Sequence, residues 1–293
     1  MTIIQLSTFL KIVESGSFSA AALSLGYAQS TVTTQIRQLE EELGCRLFDR
    51  LGKTVVLAPQ GEKLVSYAEK MLQLEREIRL DITDEDEPRG VLKLGVSESL
   101  CYNRIPEVLM DYKNEVPGIE IRLVFITHDS FPEMLQKGEL DLVYTLNPYM
   151  EDERLSLLYK KAERLGFYVS PDHPLAGKRI KEKDLASYPL LLTGHDCSFR
   201  KMLLDDLAKC GVDAKVLLET SSKEVLKQFA SNGLGLAFIP DMTAEKETKN
   251  GSLKRLDWRG SSFPVYSQVF VHKDKHIGKA IGSLVDMIKI YAR

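Results

Sequence analysis

The apolar residues of the chain change their spacing at Gly90, and this change restricts the fold more than any other feature. Before Gly90 they recur three or four positions apart, which is typical of helices. After Gly90 short apolar runs alternate with amphipathic segments, which is typical of strands that alternate with helices. A chain of 293 residues is also longer than one small core supports. We therefore expect an α/β protein with an all-α unit at its N-terminus and a larger α/β unit after it.

The first sixty residues predict two helices joined by a short turn. A first helix follows from the apolar stripe of Leu6, Phe9 and Val13. Gly26 ends a second, alanine-rich helix, because glycine accepts the left-handed backbone of a tight turn. A third helix then carries apolar residues on one face and short polar residues on the other. Helix, glycine turn and helix together form the helix-turn-helix arrangement, although a plain helical bundle fits the same pattern.

Polar side chains on the third helix and on the following hairpin are candidate DNA contacts. The second helix of such a motif places its N-terminal residues against base edges in the major groove. Residues 46–57 predict two short strands around a turn, a wing whose cations contact phosphates. Composition does not suggest DNA, since five basic side chains in residues 1–58 balance five acidic ones. The candidate DNA-binding residues are Ser17, Gln29, Ser30, Thr31, Thr33, Thr34, Arg37, Arg50 and Lys53.

A long helix is predicted over residues 59–87, beginning at Pro59, a residue favoured at the first helical position. Its apolar positions follow a heptad spacing. They are Leu64, Tyr67, Met71, Leu74 and Ile78. A second copy of the chain is the simplest partner for such a stripe, so we expect at least a dimer.

These residues resemble the LysR-type transcriptional regulators. The resemblance runs in register through Gly16-Ser17-Phe18, Ala21-Ala22, Gln29, Gln35–Glu40, Leu43-Gly44, Leu47–Arg50, Leu57 and Gly61-Glu62. It implies a homodimer or homotetramer that binds double-stranded operator DNA, with RNA polymerase as a further partner. It also implies a periplasmic-binding-protein-like effector domain with two lobes. Ala28 stands where the family usually has a capping Ser, so the sequence defines the start of the third helix poorly.

The second part of the chain predicts two α/β lobes with a cleft between them. We expect a winged helix-turn-helix domain over 1–58, the linker helix over 59–87 and an effector-binding domain over 88–293. Its first lobe takes about 91–161 and 267–293, and its second about 162–266. The apolar strands favour parallel sheets. Strands are expected at 91–96, 119–126, 140–146, 155–160, 165–169, 215–219, 236–239 and 265–272, and helices at 105–115, 131–136, 199–209, 222–231 and 277–291.

Polar residues at strand ends and helix starts of both lobes are candidate effector contacts. Helix starts offer free N–H groups and the positive end of the helix dipole, which favour an anionic metabolite. Glu98 argues against this choice, since its carboxylate would repel an anion. The candidate effector-binding residues are Ser97, Ser99, Thr127, His128, Asn147, Thr193, Arg200 and Thr220.

Other functions leave weaker signals in the sequence. A thiol-based redox sensor of the same family is an alternative, because Cys197 and Cys210 lie in the second lobe and a helix start lowers a thiol pKa. A solute-binding protein is a second alternative, but it predicts an export signal, and the N-terminus favours a cytoplasmic protein instead. Catalytic and metal-binding motifs are lacking, so we expect no enzyme, cofactor or metal. No apolar run is long enough to cross a membrane.

Overall fold

In the computed structural model of the protein, residues 1–51, 54–82, 88–127 and 130–292 are described, with the backbone alone at positions 50, 51, 54, 77 and 79–82. The chain divides into two compact units, Met1–Val91 with Gln136–Glu139 and Leu92–Leu135 with Leu140–Arg293. Among the described residues no helix has both the length and the apolar character needed to span a bilayer.

The first unit consists of four helices and one hairpin. They are α1 (Ile3–Ser15), α2 (Phe18–Leu25), α3 (Gln29–Leu43), β1 (Phe48–Leu51), β2 (Thr54–Leu57) and α4 (Pro59–Ile82). Buried side chains of the three N-terminal helices form its core together with Phe48, whose ring lies 5.3 Å from that of Phe9. Strands β1 and β2 are antiparallel, from Phe48 opposite Leu57 to Leu51 opposite Thr54. The expected wing is therefore present.

Glycines end the first two helices, as the sequence predicts. Gly16 and Gly26 have φ values of 63° and 69°, in the left-handed region that side chains with a Cβ avoid. Ser17 caps α2 by accepting a hydrogen bond from the Ala20 N–H. Helix α3 begins directly after Ala28, which makes no side-chain capping bond. Since no side chain caps it, the start of α3 at Gln29 is stabilised by packing of the apolar face of the helix.

The second unit contains eight helices and twelve strands among the described residues. In chain order they are β3 (Gly90–Val96), α5 (Glu98–Asn103), α6 (Ile105–Glu115), β4 (Ile119–Phe125), α7 (Phe131–Gln136), β5 (Leu142–Asn147), β6 (Leu155–Glu163), β7 (Leu165–Val169), β8 (Arg179–Ile180), α8 (Glu182–Leu185), β9 (Leu190–Leu192), α9 (Ser198–Lys209), β10 (Val216–Glu219), α10 (Lys223–Ser231), β11 (Leu236–Pro240), α11 (Glu245–Asn250), β12 (Lys254–Arg255), β13 (Asp257–Trp258), β14 (Val265–His272) and α12 (Lys279–Tyr291), with a 3₁₀ turn at Asp241–Ala244 before α11.

Two five-stranded sheets form the cores of two lobes. The first has the strand order β4-β3-β5-β14-β6, and the second has the order β10-β9-β11-β7-β12. The expectation of parallel sheets is wrong, because both sheets are mixed. Strand β14 runs antiparallel to β5 and β6, and β7 runs antiparallel to β11 and β12. These strands are apolar because both of their faces are buried, and burial does not determine whether neighbouring strands run parallel or antiparallel.

The chain passes between the lobes at Arg164, which separates β6 in the first sheet from β7 in the second. It returns to the first sheet at β14. Beside the crossing, Arg104 Nη1 lies 2.8 Å from Glu163 Oε1 and donates a 3.0 Å hydrogen bond to Tyr144 Oη. Arg104 follows α5, so this buried group of polar side chains fixes the helix that faces the cleft.

Candidate functional site

Helix α3 separates its apolar residues from its polar ones. Val32, Ile36 and Leu39 are buried in the core of the first unit. The opposite face exposes a row of the predicted DNA-binding residues to solvent. They are Gln29, Ser30, Thr31, Thr34 and Arg37. The helix therefore presents short polar groups and one guanidinium on a single accessible surface.

Two hydrogen bonds and the core fix the orientation of α3. The Thr8 hydroxyl of α1 donates to Gln35 Oε1 at 2.6 Å, and the Ser19 hydroxyl of α2 donates to Gln29 Oε1 at 3.1 Å. Thr33 is half-buried and donates to the Gln29 carbonyl at 3.0 Å. Thr33 thus uses its proton inside the helix, while Ser30 and Thr34 extend from the open face.

The cations near this surface differ in their surroundings. Arg37 is 69% exposed and lies 3.5 Å from Glu41, one turn further along α3. Such an exposed pair is weak and leaves the guanidinium available to another anion. Arg50 lies in β1, but its side chain and the whole of Lys53 fall outside the described residues.

A cavity of about 360 Å³ lies between the two lobes of the second unit. It is built where β3, β4 and β5 of the first lobe and β9 of the second lobe end. Five of the predicted effector residues line it together, namely Ser97, Ser99, Thr127, Asn147 and Thr193. His128 falls outside the described residues.

The structure does not bring Arg200 or Thr220 to the wall of this cavity. Arg200 is buried, pairs with Glu219 at 2.6 Å and donates to the Thr193 carbonyl at 2.7 Å. The pKa of Glu219 lies below its ordinary value, mainly because of the hydrogen bond from Arg200. Thr220 accepts a hydrogen bond from the Ser222 N–H at the start of α10. Both residues hold the ends of β9 and β10 in place behind the cavity.

Two features of the cavity were missed from the sequence. Glu98 of the first lobe and Lys223 of the second form an ion pair of 2.6 Å across the cleft. Lys223 therefore neutralises the Glu98 carboxylate, which we expected from the sequence to repel an anion. Tyr102 and Phe125 form an exposed aromatic wall, with ring centroids 6.4 Å apart. These side chains look like surface residues in the sequence, because only the cleft brings them together.

Hydrogen bonds also join the lobes and order the floor of the cavity. The Ser198 hydroxyl donates to Asn147 Oδ1 at 2.9 Å, from the start of α9 to the end of β5. Asn147 in turn donates to Thr145, whose hydroxyl lies 3.2 Å from that of Ser97. Apart from the neighbouring Cys197 thiol, the buried Thr193 hydroxyl has no hydrogen-bond partner among the described residues. A thiol is a weak hydrogen-bond acceptor, so the Thr193 hydroxyl can exchange it for a ligand oxygen.

Cys101, Cys197 and Cys210 do not have the lowered pKa that a redox sensor needs. Burial raises the pKa of Cys197, and this effect outweighs the lowering by Thr193 and by the N–H groups at the start of α9. Burial and then Glu98 raise the pKa of Cys101. The expectation that the helix start lowers the Cys197 pKa is therefore wrong. Burial destabilises the thiolate more than the hydrogen bonds at the helix start stabilise it.

One group of side chains of the types that ligate metals lies together among the described residues. Ligand atoms of Glu182, Asp206 and Cys210 lie within 4.8 Å of one another on the second lobe. One Glu182 oxygen already accepts a hydrogen bond from the Ser261 N–H at 2.8 Å, and Cys210 is exposed. The group is separate from the cavity.

Two family profiles match separate parts of the chain. The family profile described as "Bacterial regulatory helix-turn-helix protein, lysR family" matches residues 3–62, and that of the "LysR substrate binding domain" matches residues 85–293. The uncharacterized HTH-type transcriptional regulator YwqM of Bacillus subtilis (strain 168) is 34% identical over 293 residues, which cover 99% of each chain.

Solved structures of full-length regulators share the fold. A full-length OxyR variant from Pseudomonas aeruginosa has a TM-score of 0.74 at 22% identity, with 100% of this chain and 96% of that chain covered. Full-length CbnR, solved in complex with its target DNA, has a TM-score of 0.67 at 20% identity, with 99% and 100% covered. Both profiles and the full-length relative lead to one conclusion: the chain belongs to the LysR family of DNA-binding transcriptional regulators and is not an enzyme.

Proposed function

We propose that this regulator recognises operator DNA with the exposed face of α3, pairs with a second copy through α4, and responds to a small molecule bound between its lobes. Residues 1–58 read DNA, 59–87 pair the subunits and 88–293 bind the effector. The protein acts in the cytoplasm, where its DNA target lies. The observation that carries the proposal is the division of α3, whose apolar face is buried while Ser30, Thr34 and Arg37 are exposed.

The chemistry of α3 suits both kinds of DNA contact. Hydroxyl groups of Ser30 and Thr34 are short enough to approach base edges and exchange hydrogen bonds with them. Arg37, one turn further on, reaches a phosphate or a guanine. The hairpin of β1 and β2 contributes Arg50 and Lys53 to the adjacent backbone. Ser17, Gln29, Thr31 and Thr33 complete the proposed surface.

Substitution of Arg37 by Met tests this surface, because the chain offers a matched control. Arg37 pairs with Glu41 at 3.5 Å, and Lys11 on α1 pairs with Glu14 at 2.7 Å. Arg37→Met and Lys11→Met therefore remove the same charge from the same unit and leave a similar glutamate behind. If Arg37 contacts one phosphate, the slope of log K against log salt falls by about 0.9 in Arg37→Met.

Lys11→Met keeps the slope of the unchanged protein. Fluorescence anisotropy of labelled operator DNA at several salt concentrations measures both. Equal slopes and equal affinities for the two variants, or a loss only in Lys11→Met, would exclude Arg37 from the DNA contact and contradict the proposed surface of α3.

The exposed apolar residues of α4 support the dimer. Tyr67, Met71, Leu74 and Ile78 are each between 39% and 65% exposed, and their spacing of four, three and four residues is that of a coiled coil. A second copy of α4 would cover this stripe, and two such dimers would form a tetramer. Leu74→Glu places a charge in the stripe and should convert the protein to monomers in sedimentation velocity. An unchanged sedimentation coefficient would show that another surface pairs the subunits.

The cavity supports a small-molecule effector. A volume of about 360 Å³ falls within the range of ligand pockets, and its walls combine apolar rings with a few polar groups. Ser97, Ser99, Thr127, Asn147 and Thr193 contact the ligand, with His128 beside Thr127, while Arg200 and Thr220 support the site from behind. Effector binding favours one arrangement of the lobes, which alters the spacing of the DNA-reading units, the bend in the DNA and the contact with RNA polymerase. A redox mechanism receives no support from the raised pKa values of Cys101 and Cys197.

A further inference from the structure

We infer that the ligand of the cavity is a zwitterion, a small molecule with a carboxylate and a cationic nitrogen on an apolar body, as in an apolar α-amino acid. This inference rests on the proposed function, since it names the ligand class of the same cavity. It is carried by the ion pair between Glu98 and Lys223, which joins the two lobes inside the cavity.

The pair is both well made and shielded from water. The Glu98 and Lys223 side chains are 19% and 14% exposed, and their charged atoms are 2.6 Å apart. The other Glu98 oxygen accepts a hydrogen bond of 3.3 Å from the Lys223 N–H. A charge that loses its partner in such a place pays a desolvation cost without compensation. Any ligand that separates the two side chains must therefore satisfy both.

A simple anion or a simple cation satisfies only one of them. A carboxylic acid that binds the Lys223 ammonium leaves the Glu98 carboxylate without a cationic partner in the same cavity, where Asp196 adds a second negative charge. An amine that binds Glu98 leaves Lys223 unpaired. A zwitterion replaces one ion pair by two, because its ammonium binds Glu98 and its carboxylate binds Lys223. The charges of the cavity thus select for a ligand that carries both.

Neighbouring groups define where each end of the ligand lies. Helix α9 begins beside the cavity, and the N–H groups of its first turn, together with the Thr193 hydroxyl, face the Cys197 thiol. The thiol is a weak hydrogen-bond acceptor, so these groups add donors for the stronger acceptor that a carboxylate near Lys223 provides. The exposed rings of Tyr102 and Phe125 offer an apolar wall to the body of the ligand.

Three matched mixtures test the inference with the full chain. The first contains L-leucine, L-isoleucine, L-valine, L-methionine and L-phenylalanine. The second contains the same molecules without the amino group, and the third the same molecules without the carboxylate. Thermal unfolding is followed with each mixture, since a ligand that binds only the folded state raises the melting temperature. Titration calorimetry of the active compound and its two analogues then gives dissociation constants.

We expect the amino-acid mixture to raise the melting temperature, and each analogue to bind at least tenfold more weakly, which corresponds to about 1.4 kcal/mol. Glu98→Gln removes the carboxylate with little change in shape and should reverse the preference, so that the acid without an amino group binds better than the amino acid. Glu224→Gln removes a carboxylate from the same helix as Lys223 but outside the cavity, and should keep the original preference.

Equal binding of either analogue, no response to the amino-acid mixture, or an unchanged preference in Glu98→Gln would each overturn the inference. Operator binding, measured in the same preparations, separates this outcome from a failure of the proposed function. A chain that binds operator DNA and responds to the acids alone keeps its proposed function and loses only the zwitterion. A chain that binds no specific DNA loses the proposed function, whichever mixture stabilises it.

Discussion

Replacement of Gly61 by alanine is a case in which helix propensity and packing have opposite effects on stability. Gly61 lies in the first turn of α4, where replacement of glycine by alanine ordinarily stabilises a helix by up to about 1 kcal/mol. A Cβ at Gly61, however, would lie 2.2 Å from the Leu47 carbonyl oxygen and 2.8 Å from Leu57 Cδ2. The first of these neighbours is backbone, so no change of rotamer relieves the contact.

The expected loss of stability follows from the atoms that Gly61→Ala forces apart. The Cβ and the Leu47 oxygen must separate by roughly 1 Å to reach ordinary contact. The same oxygen accepts the Ala58 N–H at 2.9 Å, so the movement also weakens that hydrogen bond. Overpacking of this kind costs about 1–3 kcal/mol, and the hydrogen bond contributes about 1 kcal/mol. Gly61→Ala should therefore destabilise the first unit by about 1–3 kcal/mol in spite of its better helix propensity.

Gly282 provides the matched control. It also lies in the first turn of a helix, α12, but no atom lies within 4 Å of its added Cβ. Differential scanning calorimetry should show the transition of the first unit falling by roughly 4–8 °C per kcal/mol in Gly61→Ala, whereas Gly282→Ala raises that of the second unit by a few degrees at most. An equal or greater stability of Gly61→Ala would refute the packing of α4 against Leu47.

Three further predictions concern ion pairs and a thiol. Lys275 and Asp141 are 3.1 Å apart, with side chains at most 2% exposed. Lys275→Met leaves a buried carboxylate without its cation, so it should lower the free energy of unfolding in urea by about 3–5 kcal/mol. Adding Asp141→Asn to Lys275→Met should recover part of this loss, and a double variant no more stable than Lys275→Met would contradict the prediction. The hydrogen bond from Arg154 lowers the pKa of Asp152 to about 2, so the stability from this pair is complete above the ordinary value of about 3.9 and is lost as the pH falls toward 2. NMR titration should return the Asp152 pKa toward its ordinary value in Arg154→Met, and an unchanged value would rule out this cause. Burial is the main cause of the raised pKa of Cys197, so this thiol should react with iodoacetamide at pH 8 more slowly than free glutathione. Faster alkylation would contradict the raised pKa and favour a redox sensor.

Elements that bury one face could be predicted from the sequence because burial leaves a periodic pattern. The stripe of Leu6, Phe9 and Val13 predicted α1, and the turn glycines Gly16 and Gly26 marked the ends of α1 and α2. Very short elements left no such pattern, because two residues cannot show a period. Strands β8 and β13 have two residues each and are recognised by their parallel pairing with each other, which the sequence of either strand does not show.

The direction of the strands and the charged pairs of the cavity could not be predicted for a similar reason. Val269 and Phe270 of β14 are apolar whether the strand runs parallel or antiparallel to β5. Glu98 and Lys223 are 125 positions apart, and each alone looks like an ordinary first-turn residue of a helix. Arg200 was expected in the cavity because it opens a helix, but its carboxylate partner Glu219 holds it behind the strands.

The DNA sequences that the protein selects test the central claim most directly. The full chain, Thr34→Ala and the control Ser66→Ala, which removes an exposed hydroxyl from α4, are each used to enrich binding sites from random duplex DNA. The unchanged protein and Ser66→Ala should enrich the same inverted repeat, as a dimer with two reading helices requires. Thr34→Ala should keep the spacing of the repeat and lose preference at one position in each half. Identical sites for all three proteins, or no repeat at all, would contradict recognition of DNA by α3.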